Sequence, residues 1–211
     1  MIAALLLAAG GARRFGGQKL LEVLEGRPII RCVAEALVAG SIERVLVVVP
    51  PGDRVIGPAL AGLHVEWIVN PEPERGIGSS IAAGVRALPA DIEAVAIALA
   101  DEPHLPPATV RAVLDAYRVA RPRVVAPFYS RGAERVPGHP VLFDRGVFAE
   151  LVELNDDRGA RAVVTRDAAR VMEIAVAGTP PVDVDTPRDL ARARQERQNM
   201  ASSPSTPPHD P

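Results

Sequence analysis

Arg14, Lys19, Asp101 and Asp185 are the residues whose types could act together: two cations and two carboxylates drawn from three separate stretches. The cations sit in LLLAAGGARRFGGQKLL, residues 5–21, where an apolar run meets a glycine-rich loop. Glycine lets backbone approach a ligand and turn its N–H groups toward it, and Arg13, Arg14 and Lys19 add fixed positive charge. That pairing suits a polyphosphate. Asp101 follows the apolar run AVAIALA with Glu102 beside it, and Asp185 lies in VDVDTPRDL, where it alternates with Asp183. Carboxylates from two segments facing a basic glycine loop suit Mg2+ bridging a triphosphate. Mg2+ takes only one or two protein carboxylates and completes its shell with phosphate and water.

Each group also has a plainer reading. The loop is equally an ordinary strand-to-helix turn with surface arginines, and an acid at a strand end is often a cap. Asp189 falls in the first turn of a helix opened by Thr186-Pro187, where the dipole favours it, and Asp185 is equally explained as a cap. Ser79 and Ser80 in RGIGSSIAAGV cap the helix that follows or place hydroxyls on a nucleotide. His139, among the turn residues of PGHPV, is a substrate contact or a simple turn residue; His104 and His139 are too isolated for a zinc site. Counting excludes two familiar loops. Gly17 stands where a P-loop requires lysine, and neither Gly10 nor Gly11 is followed two residues later by the glycine of a dinucleotide fingerprint. No serine sits on a G-x-S-x-G elbow.

The elements that must position these residues are legible as alternating short apolar runs and helical patterns. Strands are expected at 2–8, 44–49, 65–69, 94–99, 123–126 and 171–175. Helices are expected behind Pro28, at 79–88, 107–119, 144–153, 158–168 and 187–198. Continuous Val/Leu/Ile/Ala strands interleaved with helices indicate a mostly parallel sheet covered on both faces. Ligands of such sheets bind outside the carboxyl ends of the strands, where both the loop after residue 8 and Asp101 fall. PFYSRGAERVPGHPVLF, with its turn residues between extended pieces, reads as an antiparallel excursion over the ligand side. The chain is expected to form one domain over 1–198, followed by a Ser/Pro-rich disordered tail over 199–211.

Composition narrows the partners. With 211 residues, 48% of them hydrophobic, the chain can bury one sizeable core. A formal charge of −2 argues against nucleic acid or an anionic membrane as partner, and 3% aromatics are too few for base-stacking platforms. No apolar run approaches the ~20 residues of a spanning helix. The apolar start has no charged segment before it and reads as a strand, not a signal peptide. Cys32 is the single cysteine, which leaves no disulfide framework and points to a reducing, cytoplasmic setting.

Six motifs together resemble one family. LAAGGARRFGGQK resembles the L-A-A-G-x-S-x-R-x-G-x-x-K signature of MobA-like NTP transferases, particularly the molybdenum cofactor cytidylyltransferases. ERGIGSSIAAGV is similar to that family's G-x-x-x-S loop and helix, LADEPHL to its G-D-Q-P-x-[LV], and GHPVLF to its G-x-P-V-x-F. DRGAR resembles D-x-G-A-R, and DVDTPRDL resembles D-[IV]-D-T-P-x-D. The motifs run in order from residue 2 to about residue 195. The resemblance implies an α/β fold of three layers like the nucleotide-diphospho-sugar transferases (Rossmann-like), a mostly parallel sheet with helices on both faces and a small antiparallel excursion. It implies that Leu7, Ala8, Ala9, Gly10 and Gly11 line the nucleotide, with Ser79 and Ser80 also in contact with it. Arg14 and Lys19 would hold the triphosphate, and Asp101 and Asp185 would bind Mg2+, with Arg14, Lys19 and Asp101 carrying catalysis. Gly138 and His139 would form the acceptor side. Ala9 implies CTP, because the family pairs LAAG with cytidine and LAGG with guanosine. Ala12 departs from the usual serine, and Ala100-Asp101-Glu102 replaces G-D-Q, adding a carboxylate beside the metal.

The reaction so implied moves CMP from CTP to the terminal phosphate of molybdopterin or its molybdenum-loaded form, releasing pyrophosphate. A phosphorylated pterin is then the acceptor, and a molybdenum hydroxylase or its chaperone is the protein partner. No convincing base stands beside Asp101, which suits an acceptor phosphate already ionised at neutral pH. The alternatives are a cytidylyltransferase for a sugar or polyol phosphate, and a non-catalytic cofactor-binding chaperone.

Overall fold

A computed structural model describes residues 1–10 and 18–202, with 196–202 described by backbone alone. Ten strands and seven α-helices alternate along these residues. The strands of the first half are β1 (Ile2–Leu7), β4 (Arg44–Val49), β6 (Ala94–Leu99) and, at the edge of the sheet, β5 (Val65–Val69). They are preceded or separated by the short β2 (Val23–Leu24) and β3 (Arg27–Pro28) and by the helices α1 (Ile29–Ala39), α2 (Ile56–Ala59) and α3 (Ile77–Arg86). After β6 come α4 (Pro107–Ala120), β7 (Val124–Arg131), β8 (Glu134–Pro137), β9 (Val141–Asp144), α5 (Phe148–Val152), α6 (Arg161–Arg166), β10 (Val171–Val176) and α7 (Pro187–Ser202).

The main sheet has the order β10-β7-β9-β6-β1-β4-β5, with β8 attached to β7, and β2 and β3 form a separate pair. β1 lies parallel to both β4 and β6, and β4 to β5. β9 is the reversed strand, antiparallel to β6 on one side and β7 on the other. The antiparallel excursion expected after residue 126 is therefore built into the sheet: β7 and β8 form its hairpin, and β9 fills the gap between the two parallel groups.

Alternation along β1 divides the core into the two outer layers. Ile2, Ala4, Leu6 and Ala8 pack with Ile30, Val33 and Leu37 of α1 and Val110, Val113 and Leu114 of α4. Ala3, Leu5, Leu7 and Ala9 pack on the opposite face with Ile81 and Val85 of α3, Leu151 of α5 and Val163 of α6. All six residues of β1 are buried, which is why the strand reads as an unbroken apolar run. The fold is the three-layer α/β arrangement expected from the sequence. The last helix runs to Ser202, four residues past the expected end at 198, so the first residues assigned to a tail continue it; 203–211 lie outside the described residues.

Gly76 fixes the entry to α3. Its φ of 93° and ψ of 177° belong to a region that side chains with a Cβ rarely enter. A Cβ there would collide with the Asp157 carboxylate and stand 2.9 Å from backbone atoms of Asp156 and Asp157. Gly78 N–H, one residue into the helix, donates to Asp156 O at 2.9 Å. Gly76→Ala is expected to cost about 3 kcal/mol, combining backbone strain with overpacking. Thermal unfolding should register a loss of roughly 10 °C.

Candidate functional site

The register of the parallel strands brings the loop after β1 and the turn after β6 together. Leu7 pairs with Val48 of β4 and Leu99 of β6. Ala8 N–H then donates to Val48 O at 2.9 Å, and Ala100 N–H to Leu7 O at 3.3 Å. Ala8 and Ala9 are buried as they leave the sheet, while Gly10 is exposed and has open space where a Cβ would stand. Gly11 and Arg14, both expected in the phosphate loop, lie outside the described residues.

Lys19 opens a single 3-10 turn at Lys19–Leu21 and reaches into this corner. Its Nζ donates to Asp101 Oδ2 at 2.7 Å and to Asp185 Oδ1 at 2.8 Å. Burial alone would lower the lysine pKa, but the charges and hydrogen bonds of Asp101 and Asp185 outweigh it and hold the ammonium above its ordinary 10.5. Three residues separated by up to 166 positions therefore converge on one nitrogen.

Asp185 is held there by local structure. Asp101 O accepts from Val184 N–H at 3.0 Å. Val184 is fully buried with Leu24, Ile29, Leu190 and Ala193. Beyond it, Thr186 N–H and Oγ1–H donate to Asp189 Oδ2 at 2.8 and 2.7 Å, and Asp189 N–H returns to Thr186 Oγ1 at 3.2 Å. This is a reciprocal cap for α7. Asp189 is thus the structural acid, and Asp185 is left to face Lys19.

Two carboxylate oxygens within hydrogen-bond reach of one ammonium form a donor set that fits a small hard cation in place of that ammonium. Among the described residues, no group of three or more His, Cys, Asp or Glu side chains is arranged to hold a metal.

A second polar group adjoins the first. Glu102 is buried, and its Oε1 lies 2.6 Å from His139 Nδ1. His139 follows Gly138, whose N–H donates to Pro127 O at 2.9 Å and which lies close against the Tyr129 ring. Asp183 is exposed by area, yet desolvation, then the charges of Glu102 and Asp101, push its carboxyl from 3.8 up to about 6. An acid with a raised folded-state pKa holds its proton better when folded. Its stabilising contribution is complete below the unfolded value near 3.9 and is lost as pH rises through about 6. Asp183→Asn should therefore gain on wild type in stability as pH rises from about 4 to 7, by about 0.5–1 kcal/mol after solvent screening. Melting curves of both proteins across that range measure the difference.

Ser79 and Ser80 do not cap the helix as one reading of their spacing expected. They lie inside α3 instead of capping it, and Gly76 occupies the cap position without a side-chain bond. Asn70, buried just past β5, donates through Nδ2 to both hydroxyls at 2.9 and 3.0 Å. Ser79 Oγ in turn is within 2.9 Å of Glu72 O and 2.8 Å of Gly76 O. These bonds tie the 70–79 loop to the helix. Asn70 went unnoticed in the sequence, and its one signal was position: a polar residue directly after a strand, at the ligand edge of the sheet.

The profile of the MobA-like NTP transferase domain matches residues 4–171. The chain belongs to this family. Nicotine blue oxidoreductase of Paenarthrobacter nicotinovorans is 32% identical over 165 residues, 76% of this chain and 79% of that protein. The 2-C-methyl-D-erythritol 4-phosphate cytidylyltransferase of Streptomyces avermitilis is 33% identical over 131 residues, 58% of this chain and 52% of that enzyme. Among solved structures, Rv0371c of Mycobacterium tuberculosis H37Rv superposes with a TM-score of 0.82 at 26% identity, covering 92% of this chain and 97% of that one. The same protein has been solved in complex with manganese, with a TM-score of 0.78 at 24% identity over 92% of this chain and 98% of that one. In this MobA-like NTP transferase Lys19 and Asp101 lie within the matched residues, and Asp185, which completes the corner, lies beyond them. Among the described residues no helix is long and apolar enough to cross a membrane.

Proposed function

We propose that the protein transfers CMP from CTP to the terminal phosphate of molybdopterin or the molybdenum cofactor. An acceptor phosphate oxygen forms a bond to the α-phosphorus, the bond from that phosphorus to the bridging oxygen breaks, and pyrophosphate leaves with its electron pair. The observation that carries this reading is the Lys19 Nζ held between Asp101 and Asp185 at the adjoining ends of β1 and β6.

In this reading the backbone from Leu7 to Gly11 lies along the base and ribose, with Ser79 and Ser80 at the nucleotide side. Lys19 and Arg14 neutralise the triphosphate. Asp101 and Asp185 would hold Mg2+, which supplies charge stabilisation on the phosphates when bound. Gly138 and His139 line the acceptor side. Positioning and electrostatics carry most transfers of this type, and an acceptor phosphate arrives ionised. The manganese complex of Rv0371c supports a divalent-metal requirement.

A second reading, cytidylyl transfer to a sugar or polyol phosphate, is favoured by the name of the Streptomyces relative. The test incubates the protein with Mg2+, CTP or GTP, and either molybdopterin or a panel of sugar and polyol phosphates. Pyrophosphate is measured and the product is weighed by mass spectrometry. The cytosine dinucleotide from the pterin is expected, with CTP preferred to GTP and the gap narrowed by Ala9→Gly. A cytidylylated sugar or polyol instead would move the protein to the second reading. Redox turnover of nicotine blue without pyrophosphate would align it with the oxidoreductase relative.

A further inference from the structure

Glu102 is buried in the site, with only 7% of its side chain exposed, and a buried carboxylate requires a partner that donates or carries charge. Its partner is His139, whose Nδ1 lies 2.6 Å from Oε1, and Asp183 is near enough to feel the same charge. A hydrogen bond from Nδ1–H to a carboxylate sets the orientation of an imidazole and directs Nε2 the other way. The His139 ring is 30% exposed, so it stands at the edge of the site and not in the core. Its backbone is fixed by Gly138, anchored to Pro127 O and packed on Tyr129, whose hydroxyl pairs with Thr109 Oγ1 at 3.1 Å.

Burial alone would lower the imidazole pKa, but the hydrogen bond and charge of Glu102, with Asp183 and Asp101 adding to it, outweigh burial and raise it above 6.5. A ring protonated at both nitrogens offers Nε2–H as a cationic donor. An anion entering here meets the carboxylates of Asp101, Glu102 and Asp183, so a charged donor is what permits its approach.

We propose that Glu102 is a positioning residue that holds His139 with Nε2–H toward the acceptor, so that the site selects acceptors by a phosphate monoester and not by a bare hydroxyl. This rests on the nucleotidyltransferase reading above. It gives the Glu in LADEPHL, where the family pattern has Gln, a task separate from Asp101.

Wild type, Glu102→Gln and His139→Gln are compared in two measurements on the full chain. In pyrophosphate release with CTP, Mg2+ and molybdopterin, Glu102→Gln should raise the acceptor KM about tenfold, with kcat within about threefold and the CTP KM unchanged. His139→Gln should do the same, and it carries the test if Glu102→Gln fails to fold. In 15N NMR, inorganic phosphate should shift the His139 ring nitrogens of wild type, and about ten times more phosphate should be needed in Glu102→Gln. A fall in kcat with the acceptor KM unchanged would make His139 a base acting on a hydroxyl and overturn the proposal. Wild-type ring resonances unmoved by phosphate would also overturn it. If wild type releases no pyrophosphate with any acceptor, the nucleotidyltransferase reading fails, and the phosphate titration still decides the role of the pair.

Discussion

Asp101→Asn is expected to lower pyrophosphate release from CTP by about 100-fold or more, since a neutral amide stabilises a cation and its phosphates by several kcal/mol less than a carboxylate. The fold should survive. Asp101 is partly exposed, and Lys19 keeps its bond to Asp185 at 2.8 Å when the other is weakened. The melting temperature should stay within about 3 °C of wild type, as befits loss of one partly solvated ion pair. Asp185→Asn should be milder, about tenfold, because Asp185 is nearly half exposed and its amide oxygen can still ligate. The measurement is the rate of pyrophosphate release as a function of Mg2+ concentration. Near-normal turnover of Asp101→Asn at limiting Mg2+ would remove Asp101 from the metal assignment, and negligible effects at both positions would favour a binding-only protein.

The place of Asp101 was legible because central parallel strands leave a strong sequence mark. β4 and β6 begin and end where their apolar runs do, since both faces of the sheet are covered there. Once the strands are placed, the rule that ligands gather at their carboxyl ends puts Asp101 beside the loop after β1. The region after residue 126 was harder to read. β7 extends to Arg131 because Ser130 and Arg131 pair with Arg135 and Glu134 of β8, a ladder of exposed polar residues that periodicity does not mark. Insertion of the four-residue β9 between β6 and β7 depends on packing between distant segments. The Glu102–His139 bond, spanning 37 positions, depends on that insertion, and no spacing along the chain marks it. Ser79 and Ser80 illustrate the same limit. Their spacing suited a cap, but Gly76 in a conformation open to glycine starts the helix earlier, and buried Asn70 takes both hydroxyls.

Lys19→Ala is expected to act in opposite directions on metal and on turnover. If Asp101 and Asp185 hold the cation as proposed, then without nucleotide the Lys19 ammonium and the cation would compete for the same two oxygens, Asp101 Oδ2 and Asp185 Oδ1. Removing the lysine leaves two carboxylates close together without their shared counter-ion, which should cost about 1–2 kcal/mol of stability given that Asp185 is largely solvated. The same change should tighten Mn2+ binding about tenfold, because the cation no longer displaces an ammonium. Added Mn2+ should then recover the lost melting temperature in the variant more than in wild type. With CTP present the balance reverses. A lysine released from the carboxylates by the incoming cation is free to contact the triphosphate, and its loss removes a charge-assisted contact where charge develops on the leaving pyrophosphate. Turnover should fall by about 100-fold even at saturating metal. Calorimetric titration with Mn2+ and steady-state pyrophosphate release, run on the same preparations, separate the two effects. If Lys19→Ala binds Mn2+ no more tightly than wild type, lysine and metal do not share those oxygens, and the metal would have to be placed elsewhere along the strand ends.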